Sequence, residues 1–245
     1  MNPARTRPAR AVFFDVGGTL LDTNSMLDAA LLTALAPIDP ERTIGEVRRA
    51  VAQTAADMPV RRPPFTRVEA NVSWWIERYR RVGGALGLAG GQLETFVETA
   101  WRAHSTGDNL CVVTDAPEAL GRLRTAGFRL GVISNWDDSL EDILARKGLA
   151  GWFDVVLAST LVGVAKPDRG IFELALARVA LPADEAWHVG DDPDADALGA
   201  RAAGLGAVLL DPFNLYAQLE ARGVLRAFTL TGAVDRILAD DGRRP

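Results

Sequence analysis

The 245-residue chain has one cysteine, Cys111, so no disulfide can close within it, which suits a reducing compartment. No stretch approaches the roughly 20 consecutive apolar residues of a membrane span. The apolar run after the basic start MNPARTRPAR is too short for a signal peptide and is broken by Asp15. Basic residues are outnumbered, 27 Lys and Arg against 32 Asp and Glu, which argues against a general nucleic-acid surface. There is no internal repeat and no low-complexity segment. These absences predict a cytoplasmic protein with neither a membrane nor a nucleic acid as partner.

Apolar residues make up 48% of the chain, enough for a sizeable core. The stretch Ala11–Leu21, AVFFDVGGTLL, is the most informative. Ala11 to Phe14 read as a short buried strand, and Gly17 and Gly18 turn the chain just past it. Asp15 therefore stands at the carboxyl end of a first strand, where open α/β sheets gather their ligands. From this stretch alone, Asp15 is a nucleophile, a metal ligand or a cap for the turn.

From Asp22 to Asp108 the pattern is helical. A first helix covers Met26 to Leu35 and is stopped by Pro37. A second begins near Thr43, with Thr43 and Glu46 as a capping box. A third begins at Thr66 with Glu69 as its box partner and ends at Gly83–Gly84. A fourth runs from Gln92 to His104. After Asp115, helices alternate with apolar strands at Phe128–Ile133, Val155–Ala158, Trp187–Val189, Ala207–Leu210 and Ala227–Leu230. A helix is expected over Ala195–Ala203 and another over Asn214–Ala221. Alternation of this kind predicts a doubly wound parallel sheet covered on both faces, with the helical bundle inserted after its first strand.

The strand ends carry the chemistry. Phe128–Ile133 is followed by Ser134–Asn135. The segment after Ala158 contains Lys166–Pro167. Trp187–Val189 leads into Gly190–Asp191–Asp192–Pro193–Asp194–Ala195–Asp196. Taken singly, Ser134 is a helix cap, Lys166 an exposed loop lysine, and the aspartates favourable first-turn acids. Together, an acid, a hydroxyl, an amine and an acidic cluster on one sheet edge suit a phosphoryl group held on a divalent metal.

The stretches FFDVGGTLLD, GVISNWD, GVAKPDRGIF and HVGDDPDADALGARAAG resemble, in order, the four motifs of the haloacid dehalogenase superfamily. The resemblance covers nearly the whole chain. It implies a Rossmann-like α/β core at residues 1–22 and 109–245, with a helical bundle cap at 23–108. It implies Asp15 as the nucleophile of an Mg²⁺-dependent phosphatase acting on a small phosphorylated compound, through an aspartyl-phosphate. Gly18, Ser134, Asn135 and Lys166 would hold the phosphoryl group. Asp15, the Gly17 carbonyl and Asp191 would bind the metal, supported by Thr19, Asp192 and Asp196.

One position departs from the family pattern. Phosphatases of this superfamily carry a second aspartate two residues after the nucleophile, where this chain has Gly17. The acid/base it supplies is typically worth about 10²–10⁴-fold in rate. His104, where the bundle returns to the core, is a candidate replacement or simply the end of an apolar stripe; His188 lies inside a strand and reads as structural. Two other functions remain open, a non-catalytic binding protein on the same fold and a 2-haloacid dehalogenase. The basic run Arg61–Arg67 is either a second anion site or a solvated loop. Trp74 and Trp75 read as bundle packing.

Overall fold

The computed structural model describes residues 10–23, 26–55 and 66–241, so all of the basic start except Arg10, and residues 61–65 of the basic run, lie outside the described residues. Among the described residues there are eight strands: β1 (Arg10–Phe14), β2 (Leu21–Asp22), β3 (Cys111–Val112), β4 (Phe128–Ser134), β5 (Val155–Ala158), β6 (Ala186–Gly190), β7 (Gly206–Leu210) and β8 (Leu225–Ala227). Six of them form one parallel sheet in the order β5-β4-β1-β6-β7-β8. Side chains of a strand alternate between faces. Val12 and Phe14 therefore pack with Leu120, Leu123, Leu140 and Ile143 on one side. Ala11 and Phe13 pack with Ile171, Phe172 and Ala175 on the other. With helices on both faces, strands such as β6 and β7 are buried at every residue, as parallel strands require.

The order places β1 between β4 and β6, so their carboxyl ends lie side by side. This is the switch point of a doubly wound sheet, where ligands bind.

Among the described residues, four helices separate β2 from β3: α1 (Met26–Leu35), α2 (Ile44–Ala55), α3 (Val68–Ala85) and α4 (Gly90–Ser105). Leu31, Tyr79, Val82, Phe96 and Ala100 form their own apolar core. The chain leaves the sheet through β2 and returns through β3, and these pair antiparallel, Leu21 with Val112 and Asp22 with Cys111. Among the described residues no helix is long and apolar enough to cross a membrane.

The local expectations fared unevenly. Thr43 and Glu46 do form a capping box: Thr43 N–H donates to Glu46 Oε2 at 2.9 Å, and Glu46 N–H donates to Thr43 Oγ1 at 3.4 Å. The third helix, expected to begin at Thr66, starts instead at Val68, and its N-cap, Arg67, makes no side-chain cap bond. Gly83 and Gly84 do not end α3. A Cβ on Gly83 would lie 2.6 Å from Leu93 Cδ1 and 2.9 Å from Phe96 Cδ1, so this glycine lets α3 and α4 pack closely. The helix expected over Ala195–Ala203 begins as a π-helical turn, Pro193–Leu198, and becomes α-helical at Gly199–Ala202. That expected over Asn214–Ala221 is a 3₁₀ turn at Ala217–Arg222, and the last strand lies at Leu225–Ala227.

Candidate active site

Asp15 follows β1 directly, and its backbone N–H donates to Val189 O of β6 at 2.9 Å, fastening the loop after β1 to the neighbouring strand end. The loop then folds back on itself: Leu20 and Leu21 N–H both donate to Val16 O. Gly18 has φ +75°, and a Cβ there would stand 2.2 Å from Asp191 Oδ2, so only glycine lets this turn pass beneath Asp191.

Lys166 is the hub. Its Nζ donates to Asp15 Oδ1 at 2.7 Å and to Asp196 Oδ1 at 2.5 Å, with all three side chains largely shielded from solvent. Ser134 Oγ donates to the same Asp15 oxygen at 2.9 Å. Asn135 grips the Lys166 backbone at both ends: its Oδ1 accepts from Lys166 N–H at 2.8 Å and its Nδ2 donates to Lys166 O at 2.9 Å. The Lys166–Pro167 peptide is cis. On the far side, His188 meets Asp196 Oδ1 through Nε2 at 2.9 Å. A carboxylate only accepts, so Nε2 carries the proton.

The charges do not balance. One carboxylate oxygen from each of Asp15, Asp191 and Asp196 lies within 4.8 Å of the others. Lys166 is the one ammonium among them. Burial, reinforced by Asp196 and opposed by Lys166, raises the Asp15 carboxyl above its usual range. Burial would raise Asp196 too, but the Lys166 charge and the His188 hydrogen bond outweigh it and hold its carboxyl low. Asp191 keeps solvent access at the rim, yet lost hydration and the charges of Asp15 and Asp196 push it up to about 7. Burial lowers Lys166, but Asp15 and Asp196 more than compensate and keep it charged. Burial holds His188 neutral against the pull of Asp196. Three oxygen donors with a shortage of positive charge fit a hard divalent cation such as Mg²⁺.

These residues open on a cavity of about 420 Å³ between the sheet edge and the helical bundle. Several sequence-expected roles look different here. The Gly18 N–H, expected on phosphate, donates to Leu21 O at 2.8 Å. Asn135 spends its side chain on the Lys166 loop. Asp192 caps the following turn, accepting from Asp194 and Ala195 N–H at 2.8 Å each, so it stands outside the carboxylate cluster. Thr19 is fully buried and its Oγ1 finds no hydrogen-bond partner among the described residues. His104 reaches the cavity wall, with Nδ1 2.7 Å from the Tyr79 hydroxyl, whereas His188 does not line the cavity.

The structure also adds residues. Asp137 Oδ1 accepts from Ser139 N–H and Oγ, and its Oδ2 accepts from Asn71 Nδ2 of α3 at 3.1 Å, tying bundle to core beside the site. Trp136 is half-buried, and its Nε1 donates to Ser139 Oγ at 3.2 Å. Both lie in the motif GVISNWD, whose last two residues were legible but assigned no role. Asn71 had no sequence signal, because only the fold brings α3 over the sheet.

A family model described as haloacid dehalogenase-like hydrolase matches residues 9–204. Haloacid dehalogenase-like hydrolase domain-containing protein 3 of Xenopus laevis is 34% identical over 140 residues, 57% of each chain. Ribulose-1,5-bisphosphate 5-phosphatase of Halopiger xanaduensis is 37% identical over 133 residues, 54% of this chain and 52% of that one. The matches thus span little more than half the length of either relative. The crystal structure of a 2-haloacid dehalogenase from Pseudomonas syringae pv. Tomato DC3000 superposes with a TM-score of 0.65 at 24% identity, covering 95% of this chain and 99% of that one.

Proposed function

Since the chain belongs to the haloacid dehalogenase-like hydrolases, we propose that it is an Mg²⁺-dependent phosphatase of small phosphorylated compounds, with Asp15 as the nucleophile. The observation that carries this reading is the uncompensated cluster of Asp15, Asp191 and Asp196 around one ammonium. Displacing halide from carbon needs no such set of oxygen donors. The phosphatase relative supports the same direction.

Asp15, the Gly17 carbonyl and Asp191 would hold the metal, with Asp196 behind them. When bound, the ion offsets the negative charge that builds on the phosphoryl oxygens. Everything else is done by the chain. Lys166 lies on Asp15 Oδ1, so it brings positive charge to the point where carboxylate and phosphoryl group must approach. Ser134 points the Asp15 carboxylate, leaving Oδ2 as the attacking atom. Asn135 holds the Lys166 loop, and His188 holds Asp196 so that it shares the ammonium.

p-Nitrophenyl phosphate tests the reading. Phosphate release is expected with Mg²⁺ and is expected to stop when the metal is chelated. No metal-dependent release at high enzyme concentration would sink the proposal and favour a binding protein on this fold.

Gly17→Asp restores the family's second aspartate. Its backbone φ is not left-handed, but a Cβ would lie 3.3 Å from Thr23 Cγ2 and 3.4 Å from Trp136 Cζ3, so the threonine methyl must give by a few tenths of an ångström while the indole stays in ordinary contact. Turnover of an aliphatic phosphate ester is expected to rise by about tenfold or more, within the range that general acid catalysis supplies. A folded variant with no gain would mean that another group already serves as the acid or that the site is not built for one.

A further inference from the structure

Two features of the cavity bear on the alcohol half of the substrate. The first is what fills the space beside Gly17. An acid there would project toward Thr23 and Trp136, and this space is bounded instead by the Thr23 methyl and hydroxyl and by the edge of the Trp136 ring, with no carboxyl among them. The Trp136 Nε1–Ser139 bond fixes the indole so that Cζ3 of its six-membered ring, the end away from Nε1, lies against the nucleophile loop. Trp75 and His104, with ring centroids 4.2 Å apart, form the bundle side of the same cavity.

The second is charge. Beyond Asp15 and Asp196, the lining includes Asp137, Asp191 and Asp192, and its one lysine or arginine among the described residues is Lys166. That ammonium already serves two carboxylates. Among the described residues, a second anionic group on a substrate would meet carboxylates with no further lysine or arginine to receive it.

We propose that the substrates are aryl phosphomonoesters, whose phenolic ring carries no further anionic group and rests against Trp136. This rests on the phosphatase reading above and deepens it. Asp15 Oδ2 attacks phosphorus and the P–O bond to the ring breaks, its electron pair leaving on the phenolate oxygen. Water then attacks phosphorus of the aspartyl-phosphate. The P–O bond to Asp15 breaks, the carboxylate is regenerated, and both protons of the water end on the released phosphate. A phenol has a pKa of about 10. An aliphatic hydroxyl lies much closer to the about 15.7 of water. A phenolate therefore leaves without a proton donor, and the acid missing at Gly17 costs an aryl ester little in the step that forms the aspartyl-phosphate, the step that kcat/KM reads. The flat indole beside the reacting centre supplies the matching surface.

The test compares phenyl phosphate, benzyl phosphate and 4-carboxyphenyl phosphate on the full chain with Mg²⁺, with p-nitrophenyl phosphate as reference. Phenyl and benzyl phosphate share a ring, but one methylene turns the leaving group into an aliphatic alcohol. The expected kcat/KM for phenyl over benzyl phosphate is about 10²-fold or more. The carboxyphenyl ester is expected to fall about tenfold below phenyl phosphate, although its phenol is the better leaving group. Equal rates on the phenyl and benzyl esters, or a faster carboxyphenyl ester, would overturn the inference while p-nitrophenyl phosphate turnover kept the phosphatase reading intact. Silence on p-nitrophenyl phosphate would overturn both.

Discussion

Asp15→Asn is expected to lower kcat/KM by about 10⁴–10⁶-fold and, at the same time, to raise the melting temperature. The first effect follows from removing the attacking atom; loss of a nucleophile elsewhere costs on this order. The second follows from electrostatics. Burial raises the Asp15 carboxyl above its usual range, so the folded chain binds that proton more tightly than the unfolded chain. Folding therefore loses free energy as pH rises from the unfolded pKa to the folded one, and the loss is complete above it. A neutral amide of the same shape escapes that cost, and Lys166 is left in a one-to-one pair with Asp196. For a chain this size each kcal/mol moves Tm by about 2–4 °C. Steady-state kinetics on p-nitrophenyl phosphate and thermal unfolding at pH 7 without metal check both halves. Activity within tenfold of wild type would remove Asp15 from the chemistry. An unchanged or lower Tm would mean that Lys166 already neutralises Asp15 in full.

Lys166→Met goes the other way on stability. The ammonium is buried between Asp15 and Asp196, and replacing it with an apolar side chain of similar length leaves two carboxylates facing each other out of water. Breaking a buried ion pair from one side costs about 3–5 kcal/mol. Activity is expected to fall at least about 10²–10³-fold, as when one electrostatic stabiliser of a transition state is deleted. Mg²⁺ should restore part of the stability, because a cation in the cluster offsets the same charges. Denaturant unfolding with and without Mg²⁺ reads this directly. A variant as stable as wild type without metal would show that the cluster sheds its charge by protonation instead.

The sheet was legible in the chain because fully buried parallel strands are short apolar runs with polar ends. Val155–Ala158 is bounded as its sequence implies, and Met26–Leu35 likewise, between an apolar start and Pro37. β2 and β3 were invisible, since two residues carry no periodicity. Gly83 misled because a glycine in a helical pattern reads as a stop, and only the Leu93 and Phe96 side chains of α4 reveal it as a contact. The site divides the same way. Asp15, Ser134 and Asp191 announce themselves by standing at strand ends, and Lys166 by lying in the segment that follows one. The division of labour among the aspartates does not, because cap and cluster member differ only in which way a short side chain turns. Asp192 bonds to the backbone two and three residues ahead, whereas Asp196 reaches back to Lys166 and His188.

The pairing of Leu21 with Val112 and Asp22 with Cys111 brings the two ends of a long excursion side by side. Closing such an excursion costs entropy only as the logarithm of its length, about 0.6 kcal/mol for each doubling. The sheet and its strand-end chemistry are thus nearly indifferent to how many residues lie between the two ends. Evolution, or an engineer, can lengthen, shorten or exchange everything beyond this narrow neck and so redraw what the enzyme accepts, without renegotiating the stability of the part that performs the reaction.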